Sequence, residues 1–144
     1  MFFNPTVAEV RQFFYHAWHK AQRQETLADI EQIAVHWMRL HPEYHAVLNA
    51  PIEALENAQF SPEDGQANPF LHLSMHLSIT EQISIDQPPG IRAAAQKLSQ
   101  KLDDAHAAQH VIMESLGQIL WQAQRNKTEP DHAAYIELIL QSAS

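Results

Sequence analysis

Apolar residues recur every three or four positions along most of the chain, and strict alternation is nearly absent. That spacing predicts an all-α fold, a single-domain helical bundle of about five to six helices over residues 1–144. The first helix is expected to start at Asn4, a capping residue followed by Pro5 at the first helical position. At roughly 100° per residue, Val7, Val10, Phe14, Ala17, Trp18 and Ala21 share one arc, with His16 and His19 on the polar side. A second helix from about Thr26 buries Leu27, Ile30, Ile33, Ala34, Trp37, Met38 and Leu40 and leaves His36 outside. Pro42 disfavours helical geometry at His41, so the helix ends or kinks there and restarts through Glu43, Tyr44 and His45.

Residues 56–67, with SPEDG at their centre, read as a loop. Asn68 and Pro69 repeat the start signal of Asn4 and Pro5, opening a helix to about Ile85, where DQPPG breaks it. A helical stretch over about 91–124 is interrupted near Asp103 and Asp104, an acidic pair suited to a helix start. The last helix runs from about Pro130 to Gln141, with Thr128 and Asp131 spaced as a capping box.

Three histidine pairs stand four residues apart: His41 and His45 in HPEYH, His72 and His76 in LHLSMHL, His106 and His110 in HAAQH. On a helix, such pairs lie on one face about 5–6 Å apart at Cβ, close enough for two imidazoles to hold one metal ion. With ten histidines in 144 residues, chance supplies on the order of one such pair, so three is a modest excess. Position says more than spacing. His72 and His76 share a stripe with Met75, Ile79 and Ile83, so these imidazoles fall in the packing surface and need polar partners. Glu81 points away from them. His106, His110 and Glu114 advance by only about 40° per step and can converge on one ion. Within HPEYH, Pro42 takes residue 41 out of the helix, which makes His45 the better candidate.

The expected metal set is therefore His45, His72, His76, His106, His110 and Glu114, a donor set for zinc or non-heme iron between helices. A second reading stays open: histidines in an apolar stripe can be neutral core residues whose ring nitrogens are hydrogen-bonded, in a non-catalytic module that pairs with itself or another protein. Phe2 and Phe3, an apolar pair near the N-terminus, are the expected contact for such a homodimer.

Composition narrows the chemistry. The chain has no cysteine, which removes disulfides, iron–sulfur clusters and thiolate nucleophiles. Nine Lys and Arg against seventeen Asp and Glu leave a net charge of −8, which opposes nucleic-acid binding. There is no signal-peptide pattern and no run of eighteen apolar residues, so the expectation is a cytoplasmic protein without a membrane span. The GxSxG, Walker, GxGxxG and HExxH patterns are absent, and no reaction or catalytic residue is assigned. Glu31, Glu43 and Asp86 read as exposed or capping carboxylates.

The runs HPEYH, NPFLHLSMHLSITEQISIDQPPGIR and IMESLGQILWQAQR, in this order, resemble a family of small bacterial proteins known only as a domain of unknown function. The resemblance covers nearly the whole chain and implies a bacterial, cytoplasmic protein whose histidine segments belong to a family pattern, with no activity attached. It also implies more acidic surroundings for the last pair than Ala107, Ala108 and Gln109 supply; if those acids serve as second-sphere partners, this sequence lacks them. The glutamate-x-x-histidine motifs of di-iron carboxylate bundles are absent as well.

Overall fold

Helix boundaries follow the capping and breaking residues closely. The computed structural model describes residues 6–60 and 68–144, and these contain α1 (Val7–Gln22), α2 (Asp29–Arg39), a 3-10 turn (Pro42–Tyr44), α3 (His45–Asn49), α4 (Ile52–Asn57), α5 (Pro69–Ile85), α6 (Ile91–Leu102), α7 (Ala105–Asn126) and α8 (His132–Ala143). The all-α expectation holds, but the described residues carry eight α-helices where five to six were expected. The extra ones are α3 and α4, each under two turns. Pro42 and Pro51 lack the N–H that a continuing helix needs, so the chain after α2 is cut into short pieces. No described helix is long and apolar enough to cross a membrane. The chain divides into two compact units, the first ending at Leu77 and the second running from Ser78 to Ser144, with the boundary inside α5.

In the first unit, α1 is capped by Thr6, whose Oγ1 accepts from the Glu9 N–H at 3.1 Å while the Glu9 carboxylate accepts from the Thr6 N–H at 3.4 Å. The expected cap and contact residues Asn4, Pro5, Phe2 and Phe3 lie outside the described residues, as does SPEDG. α1 buries Phe14, Ala17 and Trp18, and α2 buries Ala34, Val35, Trp37 and Met38 in the same core. Arg11 breaks the apolar rule for a physical reason. Its Nη1 donates to the carbonyls of Leu55, Glu56 and Ala58 at 3.0, 3.2 and 2.7 Å, groups at the end of α4 that have no helical partner. Phe60 and Phe70 flank its guanidinium. His16 and His36 are exposed as expected. His19 is not: its Nε2 lies 3.1 Å from the Leu48 carbonyl and its ring packs against Tyr15.

In the second unit, α6, α7 and α8 pack on one another and bury Ile91, Leu98, Ile112, Ile119, Tyr135 and Ile139. After α5, the Asp86 carboxylate accepts from the N–H groups of Gly90 and Arg92, and the Arg92 guanidinium returns to the Ile83 and Ser84 carbonyls. The break between α6 and α7 falls where expected. Asp103 turns left-handed at φ 51°, and the Asp104 carboxylate caps α7 through the His106 and Ala107 N–H groups. α8 starts at His132 rather than about Pro130, because Asp131 itself is the cap, its carboxylate accepting from the Ala134 N–H, and not the third residue of a box begun by Thr128.

Candidate metal centre

α5 holds His72 and His76 one turn apart because Asn68 starts the helix cleanly, its Oδ1 accepting from the Phe70 and Leu71 N–H groups. Both expected ligands are therefore fixed on one continuous helix. The third imidazole is His41. Pro42 puts it outside α2, at φ −124° and ψ 70°, with the side chain only 2% exposed. Its Nδ1 lies 2.7 Å from the Trp37 carbonyl, which can only accept, so Nδ1 carries the proton and Nε2 presents a lone pair.

That lone pair meets α5. The His41 and His72 Nε2 atoms are 3.1 Å apart, and those of His72 and His76 are 3.2 Å apart. Ligand nitrogens of His41 and His76 lie within 4.8 Å of each other. With His41 Nε2 accepting, a hydrogen bond along the 3.1 Å contact takes its proton from His72 Nε2. A cation between the rings would be met by the His41 lone pair and by that of His72 once its proton moves to Nδ1. For metal–nitrogen bonds of about 2.1 Å, edges of this length correspond to nitrogen–metal–nitrogen angles of roughly 100°, between octahedral and tetrahedral values.

Aromatic rings hold the imidazoles in place. Trp37 stacks on His76 with centroids 4.1 Å apart and planes 10° apart, and Tyr44 stacks on His41 at 5.3 Å and 6°. His76 is fully buried. Burial, and secondarily the Glu43 charge, push the Tyr44 phenol above its ordinary range, so it stays neutral at physiological pH. The three imidazoles form an all-nitrogen donor set that carries no charge of its own.

The His45 Nε2 lies 2.9 Å from the Met38 carbonyl, and its ring packs on Trp18 at 4.7 Å, so in HPEYH the member that joins His72 and His76 is His41. In the second unit, His106 and His110 sit one turn apart on α7, half-buried, with ring centroids 4.4 Å apart. Glu114, one turn further, is exposed and lines a groove between α7 and α8. Glu81 is exposed, in keeping with its place opposite His72 and His76. His41 ranked below His45 because Pro42 takes it out of the helix, and that same proline is what turns it toward α5.

The sequence profile described as Domain of unknown function (DUF1841) matches residues 6–141. The chain belongs to the DUF1841 family. Every histidine of the three pairs falls inside the DUF1841 match, and the family carries no assigned activity. No curated protein and no solved structure matches the chain.

Proposed function

We propose that this DUF1841 protein binds a transition-metal ion, zinc or non-heme iron, through imidazole nitrogens, with His41, His72 and His76 as the nucleus of the ligand set. The observation that supports this reading is the meeting of three Nε2 atoms at 3.1 and 3.2 Å, two of the rings being almost fully buried. His106 and His110 are proposed as further donors of the same chemical class. Neutral imidazoles suit zinc, iron, nickel and copper, whereas magnesium and calcium favour oxygen donors. A dication held on this uncharged donor set would keep its full charge and would lower the pKa of a bound water toward about 7.

Elemental analysis of protein purified without an affinity tag tests the reading. Near-stoichiometric zinc or iron is expected, with the ratio falling sharply in His72→Ala, the ring common to both short contacts. Metal-free protein whose melting is unchanged by added zinc or ferrous ion would remove the proposal.

A further inference from the structure

Two large apolar side chains of α7 are exposed. Trp121 is 57% exposed and Leu120 46% exposed. The Arg125 guanidinium lies over the Trp121 ring at 5.2 Å. One and two turns before Trp121 come Gln118 and Glu114, both exposed. Residues 114, 118, 121 and 125 fall within roughly 60° of arc and span about 16 Å of helix. Neither Glu114 nor Arg125 has an ion pair among the described residues.

The order of these four side chains is its own complement. A two-fold axis crossing α7 between residues 119 and 120 places Glu114 of one copy opposite Arg125 of a second, and Gln118 opposite Trp121, with both pairs made twice. Beside this stripe lies a groove of about 300 Å³ lined by Glu114, Ser115 and Gln118 from α7 and by Leu138, Gln141 and Ser142 from α8. Gly117 widens the approach, since a Cβ added there meets nothing within 4 Å. We propose that this face of α7 is an antiparallel homodimer interface, in which the Trp121 indole of each copy lies against Gln118 and the α7–α8 groove of the other. A second copy is the occupant favoured by charge: the sequence acid, amide, indole, base reads correctly against itself only when the partner helix is the same helix reversed. Tryptophan, here beside the two-fold axis, and arginine, here at the ends of the contact, are also residue types that anchor interfaces.

Sedimentation of the full chain with charge-reversed variants tests this. Wild type is expected to dimerise with or without chelator, and Trp121→Ala to weaken the dimer at least tenfold. Glu114→Arg and Arg125→Glu each bring like charges together twice and are expected to sediment as monomers. An equal mixture of these two variants restores both pairings and is expected to form a heterodimer. Unchanged circular dichroism confirms that the exposed substitutions leave the fold intact. A wild-type protein that stays monomeric at about 0.5 mM, well above the micromolar range of ordinary specific association, would overturn the proposal. So would a dimer indifferent to Trp121→Ala and to both charge reversals, or a mixture of the two variants that fails to associate.

Discussion

Replacing His41 and His45 separately by alanine distinguishes the two members of HPEYH by their surroundings. Zinc at a hundred times its dissociation constant stabilises the native protein by about 2.7 kcal/mol. At about 2.1 cal/mol/K per residue, a chain of 144 residues unfolds with an entropy of about 0.3 kcal/mol/K, so wild type should gain about 9 °C. Losing one imidazole ligand, taken as about a hundredfold in affinity, leaves about 0.4 kcal/mol at the same zinc concentration. The gain in His41→Ala should thus fall below about 2 °C. His45→Ala loses its 2.9 Å contact with the Met38 carbonyl and its packing on Trp18. It should melt about 3–7 °C lower without metal, the equivalent of about 1–2 kcal/mol, yet keep most of the zinc gain. Differential scanning fluorimetry with and without zinc, and with a chelator control, reads both quantities. The reverse pattern, with zinc stabilisation lost in His45→Ala and kept in His41→Ala, would refute the assignment.

Three further outcomes follow from the packing. The Lys20 ammonium first, and then the Ala28 N–H, hold the Glu31 carboxyl below its ordinary range. Because the folded pKa is the lower one, this stabilisation is present above the unfolded carboxylate value and fades as pH falls toward the folded one. Glu31→Gln should therefore cost about 1 kcal/mol at pH 7 and progressively less below about pH 4.5 in urea titrations. Gly117→Ala should stabilise by about 1 kcal/mol, since the site lies inside α7 and an added Cβ meets nothing within 4 Å; thermal melting reads the gain. Arg11→Met leaves the Leu55, Glu56 and Ala58 carbonyls without their charged donor and should cost about 3 kcal/mol, measured by chemical denaturation.

The sequence by itself determined the helical class and most helix ends. Asn68 ahead of Pro69, Asp104 ahead of Ala105 and Pro42 after His41 act through their own backbone and the next few N–H groups, so their effect is local and legible. The burial of His76 and the outward turn of Glu81 were legible for the same reason, because both follow from rotation about one helix axis. The number of helices was not, since the short α3 and α4 have too few turns to show a periodicity and are held by contacts such as Trp18 with Asn49 and Arg11 with the end of α4. Tertiary structure alone decided which histidine of HPEYH meets α5. His41 and His72 are 31 residues apart, and their 3.1 Å contact depends on how the chain leaves α2 at Pro42 and comes back to α5, a path to which i and i+4 spacing is blind.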